Sequence, residues 1–317
     1  MNRRDFLKRS AVFTGTASAS AVSLPLFAQS VSDQGEEDMP SDAKAGPTGD
    51  RILVAANYYQ QFDADYSRDV PGEAFGGWRK VEIGLSASHT AVVVMHAWNC
   101  GSLEQLPGVW RSCEYIPRSV EVSRTVFPTV LAAVRNSPLR LLHVVGGGDY
   151  YRESPGYKRA VALAGDPLAA PQQVGSDPIL EELRQFRSDR VWRGAHNNAD
   201  GAKLSEALDF LPEALPLGDE GVAENTLQLL ALCRDAGINH LIYAGFAIDA
   251  CLLMSPGGMI DMSRHGVMCS AIRQAVTAVE NKETARTEAA KELALWRVAV
   301  MFGFVFDADD LISALSA

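Results

Sequence analysis

The chain has 317 residues, of which 47% are hydrophobic and 21% charged, and its formal net charge is −10 at pH 7. This composition is ordinary for a globular enzyme. The acidic balance argues against nucleic acid or an anionic membrane as a partner, because both are bound by basic surfaces. Six histidines and five cysteines occur without any Cys-x-x-Cys or His-x-x-x-His pair, so we expect no structural zinc site.

The start of the chain carries an export motif. Residues 2–8 read N-R-R-D-F-L-K, close to the twin-arginine form S/T-R-R-x-F-L-K, and a weakly apolar run follows as far as Ala28. This order predicts a twin-arginine signal peptide over residues 1–28, too short and too polar for a stable membrane span. We therefore expect the twin-arginine export machinery as a partner and a periplasmic or otherwise exported destination. The acidic residues 29–50 are predicted to be a disordered linker, and residues 51–317 to form the folded domain.

Strands and helices alternate along this domain. We predict strands at residues 52–56, 81–85, 90–95, 139–145, 189–192, 241–244, 266–272 and 304–306, and helices at 117–136, 179–186, 204–210, 220–236, 281–301 and 307–315. The first two strands should form a hairpin, and Pro128 should interrupt the first helix. The alternation predicts an α/β, three-layer Rossmann-like fold with a central parallel sheet and helices on both faces. In such sheets the ligand site lies outside the carboxyl ends of the strands.

One cysteine stands at such a strand end. The predicted strand at residues 241–244 ends at Gly245, the chain turns, and Cys251 opens the next apolar stretch as the first turn of a helix. A thiol close to free N–H groups and the positive end of a helix dipole is favoured as the thiolate, which a nucleophile requires. The alternative is a buried structural cysteine. The odd cysteine count leaves at least one free thiol, and Cys100 and Cys113 form the pair to test for a disulfide.

Three segments resemble one known family. Residues 90–99, T-A-V-V-V-M-H-A-W-N, are similar to the first strand, T-A-L-L-V-I-D-M-Q-N, of the isochorismatase-like cysteine hydrolases. This superfamily contains nicotinamidases, carbamoyl amidases and isochorismatase. Residues 236–251 resemble its nucleophile segment, in which a G-x-A-T-x-x-C pattern ends in the catalytic cysteine, and residues 265–267 resemble the strand that follows. The resemblance spans residues 51–317, with insertions, and is strongest over residues 220–280.

The resemblance implies a chemistry that needs no cofactor. Metal-dependent members of the family use an Asp and two His, and this sequence has no such D-x-H pattern, so we expect no metal. Cys251 would attack a carbonyl carbon of a small amide-like substrate and form a thioester, which water then hydrolyses. The backbone N–H groups of Ala247 and Cys251 would hold the oxyanion, with a cis peptide between Phe246 and Ala247. Trp98, Asn99 and Phe246 would contact the substrate.

Two positions depart from the family pattern. The family's catalytic aspartate is His96 here, and an imidazole can either take the thiol proton in a Cys–His dyad or mark a site that has lost catalysis. Asn99 or Trp98 would orient the ring. The family's lysine has no clear counterpart: one alignment places Glu220 there as a third catalytic residue, and another places Arg193. Glu220 can equally be an ordinary acid at a helix N-terminus, and Arg193 a surface residue.

The remaining candidate residues can have either a structural or a functional role. His143 lies inside a predicted buried strand, and Tyr150, Tyr151 and Tyr157 either line the pocket mouth or pack in a loop. The sequence therefore indicates an exported hydrolase that cleaves a C–N bond of a small molecule. The alternative is a catalytically degenerate member that binds a small molecule or a protein, and a third option is isochorismate-type vinyl-ether hydrolysis. A homo-oligomer is an expectation from the same resemblance.

Overall fold

The structure is a computed structural model that describes residues 50–165 and 174–317. The predicted signal peptide and the predicted linker up to residue 49 lie outside the described residues. Within the described part, no helix is both long and apolar enough to cross a bilayer.

Ten strands and eleven α-helices are described. The strands are β1 (Arg51–Gln60), β2 (Gly77–Ser86), β3 (Thr90–Met95), β4 (Trp98–Asn99), β5 (Arg140–Val144), β6 (Asp209–Phe210), β7 (Gly221–Ala223), β8 (His240–Phe246), β9 (Met268–Thr277) and β10 (Val305–Phe306). The helices are α1 (Pro107–Ser112), α2 (Ile116–Thr125), α3 (Phe127–Arg135), α4 (Pro155–Ala164), α5 (Pro178–Arg190), α6 (Asn198–Ala207), α7 (Thr226–Ala236), α8 (Cys251–Met254), α9 (Met259–Arg264), α10 (Ala289–Met301) and α11 (Ala308–Leu315).

Eight of the strands form one sheet in the order β2-β1-β10-β9-β8-β3-β5-β7. The six strands from β10 to β7 run parallel, and the β1–β2 hairpin adds an antiparallel edge. The predicted α/β architecture and hairpin are therefore confirmed. Strands β4 and β6 pair separately as a two-stranded ribbon above the carboxyl edge of β3.

Helices cover both faces of the sheet, as the three-layer prediction requires. Side chains alternate along a strand, so Val93 and Met95 of β3 face one apolar core together with helices α4, α7, α8, α9 and α10. Val92 and Val94 face the other core, which contains α3 and α11. Since every residue of β3 is buried, its continuous β-branched run reads as a strand covered on both sides.

Two predicted elements are wrong. Residues 189–192 are not a strand, because α5 continues to Arg190 and the chain then turns. The helix predicted over residues 220–236 divides: residues 221–223 form the short buried strand β7, and α7 starts only after Asn225, whose side chain accepts the Gln228 N–H at 3.1 Å. A three-residue strand shows no periodicity, so it merges with the helical pattern behind it. Pro128 does interrupt the first predicted helix, which separates into α2 and α3.

The close approach of β8 to β3 at Gly245 gives a stability prediction. Gly245 has φ +121°, and a Cβ built there would lie 1.9 Å from the Met95 carbonyl oxygen. We expect Gly245→Ala to lower the free energy of unfolding by about 3 kcal/mol or more, because the backbone contact cannot yield. Urea denaturation tests this against Gly175→Ala, where a Cβ meets open space. A loss in Gly245→Ala no larger than in the control would contradict the assigned contact.

Candidate active site

The register of the parallel strands brings four sequence segments to one edge of the sheet. Met95 is aligned with Gly245 of β8 and with Val144 of β5, and Val144 is aligned with Ala223 of β7. His96, Val145 and Glu224, which follow these positions, and Ala247, which follows the last residue of β8, therefore start the loops of the carboxyl edge. This is the edge where α/β proteins bind ligands.

Cys251 lies above this edge, where the chain turns from β8 into α8. The thiol is half-buried and free. The peptide bond between Phe246 and Ala247 is cis, as the resemblance predicts. Among the described residues, neither the N–H of Ala247 nor that of Cys251 donates a hydrogen bond to the protein, whereas neighbouring Ile248 and Leu252 do, to Thr277 and Ala247. Two unengaged N–H groups beside a thiol are what an oxyanion site needs.

His96 directly follows β3 in an uncommon conformation. Its φ is +53°, in the left-handed region that few residues other than glycine adopt, and its N–H donates to the Val144 carbonyl at 2.9 Å. The ring is 8% exposed, and burial lowers its pKa to about 4. His96 is therefore a neutral imidazole at neutral pH, and its buried Nδ1 has no hydrogen-bond partner in the described part of the chain.

The predicted Cys–His dyad is not formed as a hydrogen bond. None of the hydrogen bonds among the described residues joins Cys251 Sγ to the His96 ring. A neutral imidazole can accept a proton, but its low pKa disfavours a preformed thiolate–imidazolium pair. Catalytic hydrogen bonds often tighten only when substrate binds, so the dyad stays a prediction. The other four cysteines are free thiols as well, Cys100 and Cys113 included.

The three predicted substrate contacts have different surroundings. Trp98 stacks on His96, with ring centroids 4.4 Å apart and an interplanar angle of 15°, so it is the residue that orients the imidazole. Asn99 is exposed and its side-chain oxygen accepts the Gly101 N–H at 3.0 Å. Phe246 is buried and stacks on Phe127 of α3 at 5.5 Å. Its ring therefore packs in a core instead of lining the carboxyl edge.

Glu220 lies away from this edge. It precedes β7, level with the amino-terminal half of β5, and its carboxylate accepts hydrogen bonds from Arg135 at 2.7 Å and His143 at 2.9 Å. Burial opposes ionisation of Glu220, but the bonds from His143 and Arg135 outweigh it and lower the pKa to about 2. His143 is thus a satisfied buried histidine, and we leave Glu220 out of the candidate site. Glu220 was expected at the site because the sequence analysis took residues 220–236 as one helix and did not recognise strand β7.

The acid that does stand at the carboxyl edge is Glu224, immediately after β7. Its two oxygens accept the hydroxyls of Tyr151 at 2.7 Å and Tyr157 at 2.8 Å. Burial raises the pKa of Glu224, but these two bonds outweigh it and keep the pKa below its usual value. Recognition of β7 in the sequence would have identified Glu224, since it is the first residue after the strand. Tyr151 and Tyr157 therefore hold this carboxylate.

Two further residues near Cys251 escaped the sequence analysis. Asp249 precedes it by two positions and accepts the Val279 N–H at 2.8 Å, and burial raises its pKa. Burial also raises the pKa of Tyr115, which Cys113 and Cys251 raise further in their ionised forms. Tyr115 packs against the core that contains Phe246. No motif marks either residue, because the position of Tyr115 depends on how α2 packs on the sheet.

A separate cleft opens at the opposite, amino-terminal edge of the sheet. It has a volume of about 690 Å³ and is lined by Glu220 and by Arg135, Arg140 and Arg159, among others. This cleft is distant from Cys251 along the strands, and its mixed charges are largely paired within the protein. Among the described residues, no group of three or more His, Cys, Asp or Glu side chains is arranged to hold a metal ion.

Solved structures of similar shape include a cysteine hydrolase, an isochorismatase family protein and an amidase. A cysteine hydrolase from Pseudomonas syringae pv. phaseolicola is 13% identical and covers 73% of this chain and 94% of its own, with a TM-score of 0.44. An isochorismatase family protein from Desulfovibrio vulgaris is 15% identical, covering 72% and 98%, with a TM-score of 0.43. N-carbamoylsarcosine amidase from Thermoplasma acidophilum is 16% identical. The match covers 70% of this chain and 97% of the amidase, with a TM-score of 0.36. No protein-family model and no curated protein sequence matches the chain, and similarity at this level does not by itself assign it to a family.

The low pKa of His96 gives a pH-dependent stability. Because the pKa in the folded chain, about 4, is below the ordinary 6.5, the unfolded chain takes up the proton first as the pH falls. Stability is therefore lost between about pH 6.5 and pH 4, by about 2 kcal/mol between pH 7 and pH 5 from this residue. Urea denaturation at both pH values should show a correspondingly smaller loss in His96→Gln, whereas exposed His265→Gln should keep the full loss. Equal losses in all three proteins would refute the buried neutral ring.

Proposed function

We propose that this chain is an isochorismatase-like cysteine hydrolase that cleaves a C–N bond of a small amide with Cys251 as nucleophile. The observation that carries the proposal is the local arrangement at Cys251. A half-buried free thiol stands at the carboxyl end of a central parallel strand, next to the N–H groups of Ala247 and Cys251, which bond to nothing else in the described residues. The motif resemblance of residues 236–251 identifies the same cysteine independently.

The proposed reaction proceeds in two steps. The Cys251 sulfur bonds to the carbonyl carbon while its proton passes to a ring nitrogen of neutral His96, and the negative oxygen is held by the two N–H groups. The C–N bond then breaks, His96 returns the proton to the departing amine, and a thioester remains. Water, losing a proton to His96, attacks the thioester and releases the acid and the thiol. Each donor to the oxyanion contributes a factor of roughly 10²–10³ in rate.

A second candidate, a binding protein without catalysis, is favoured by one observation. His96 stands where the family has an aspartate, and in the described part of the chain it makes no hydrogen bond to Cys251. In that case the same edge would bind a small molecule without turning it over. The two functions differ in whether the thiol is needed for any chemical change.

A screen against a panel of small amides and ureides, with ammonia or amine release as the readout, distinguishes them. If the hydrolase proposal is correct, Cys251→Ala lowers the rate on any substrate found by at least about 10³-fold, because the covalent step is lost. Cys113→Ala, which removes another half-buried free thiol, is the matched control and should stay within about twofold of the parent. A substrate hydrolysed equally well by Cys251→Ala would exclude this nucleophile.

Export by the twin-arginine pathway is part of the proposal. It is supported by the order of residues 2–8 and the apolar run behind them. We expect Arg3→Lys combined with Arg4→Lys to leave the full-length precursor inside a bacterial host, because the pathway reads the arginine pair. Fractionation followed by immunoblotting measures this, with Lys44→Arg as the charge-conserving control. Undiminished appearance of the double variant in the periplasmic fraction would refute the proposed signal.

A further inference from the structure

Two buried hydrogen-bond donors next to His96 have no acceptor. Trp98 Nε1 and Tyr150 Oη are both shielded from solvent and lack a partner among the described residues. Buried polar groups are nearly always bonded, so such a pair needs an explanation. The two atoms are neighbours, since burial raises the Tyr150 pKa while the Trp98 side chain and the Gly146 backbone N–H lower it, yet neither group forms a hydrogen bond of acceptable geometry with Tyr150 Oη.

Packing holds these donors in place. Trp98 is stacked on His96 at 4.4 Å, and it is aligned with Phe210 across the β4–β6 ribbon. The Tyr150 ring meets the Phe210 ring edge-on at 4.8 Å. Gly146 closes the third side, where a Cβ would come within 3.4 Å of His96 Nε2 and 3.9 Å of the Trp98 ring. The donors are therefore preorganised, which lowers the entropic cost of binding an acceptor.

The chemistry of the pair selects the ligand. An indole N–H can only donate, and a phenol hydroxyl donates readily, so a single oxygen with two lone pairs satisfies both. The Asp209 carboxylate stands in the same ribbon, since Asp209 is aligned with Asn99 next to Trp98, and after burial it also raises the Tyr150 pKa. A nearby negative charge and a neutral imidazole disfavour an anionic ligand. The complementary acceptor is therefore the oxygen of an uncharged carbonyl.

We propose that Trp98 Nε1 and Tyr150 Oη form a subsite for an uncharged carbonyl group, which is distinct from the carbonyl that Cys251 attacks. The donors of Ala247 and Cys251 follow β8, whereas Trp98 follows β3 and Tyr150 follows β5. The two donor pairs therefore follow different strands of the sheet, in which neighbouring strands lie about 4.8 Å apart. The substrate class is thus a small neutral molecule with two carbonyl groups, at least one of them an amide. The substrate class rests on the proposed function, because that function supplies the carbonyl that Cys251 attacks. The binding of a carbonyl by Trp98 and Tyr150 does not depend on it.

Binding of succinamide, a neutral diamide, to the full-length Cys251→Ala protein tests the subsite without turnover. The readout is the ¹⁵N–¹H signal of the Trp98 indole, identified by its loss in Trp98→Phe or, if that variant does not fold, by elimination with variants of the other tryptophans. We expect a saturable shift of this signal, about fivefold weaker binding in Tyr150→Phe through loss of one neutral hydrogen bond, and no change in Tyr66→Phe, which is 87% exposed. Succinate, of the same length but charged, should bind at least tenfold more weakly.

Three results would overturn the subsite. A Trp98 signal indifferent to succinamide would mean that the indole is satisfied by water or by Tyr150 alone. Succinate binding as tightly as succinamide would mean an anion site, and an unaffected Tyr150→Phe would remove the second donor. A different result would count against the hydrolase proposal alone. In that case succinamide would shift the Trp98 signal in Cys251→Ala, but the parent protein would hydrolyse neither succinamide nor related diamides.

Discussion

The backbones of β8 and β3 approach so closely at Gly245 that the Met95 carbonyl oxygen occupies the place of a side chain. Only glycine tolerates this contact, and the φ of +121° that accompanies it lets the chain leave the strand at an angle unavailable to other residues. The contact keeps Met95 and Gly245 level with each other, so the loops after β3 and β8 begin side by side at the carboxyl edge. His96 then follows one strand directly, and the turn that carries Ala247 and Cys251 follows the other.

The chemistry of the carboxyl edge depends on what this geometry leaves unpaired. The N–H groups of Ala247 and Cys251, the Nδ1 of His96, and the donors of Trp98 and Tyr150 all lack partners in the described residues, although most are buried. By contrast the acids at the two edges are fully engaged: Glu224 by two tyrosines, and Glu220 by Arg135 and His143. Unsatisfied polar groups are costly in a core, so their concentration at one edge of the sheet is the feature most easily explained by a ligand.

The sequence predicted the parts that local patterns determine. Continuous β-branched residues in β3, the Gly237 cap of α7 and the strand-to-turn pattern before Cys251 all follow from short-range chemistry, and the α/β architecture follows from their alternation. Strand β7 is too short to carry a period, and missing it placed Glu220 at the carboxyl edge, where the structure has Glu224. The outward placement of Asn99, the burial of the Phe246 ring against Phe127, and the packing of Tyr115 on the same core depend on tertiary structure, which no local pattern encodes.

The central claim is that Cys251 is a nucleophile served by two free N–H groups, and acyl transfer from p-nitrophenyl acetate tests it most directly. The claim predicts that one acetyl group is added to the protein before steady turnover, that peptide mapping places it on Cys251, and that it is lost on hydrolysis. Acetylation that is absent, or that reaches the half-buried Cys113 as fast as Cys251, would contradict the claim.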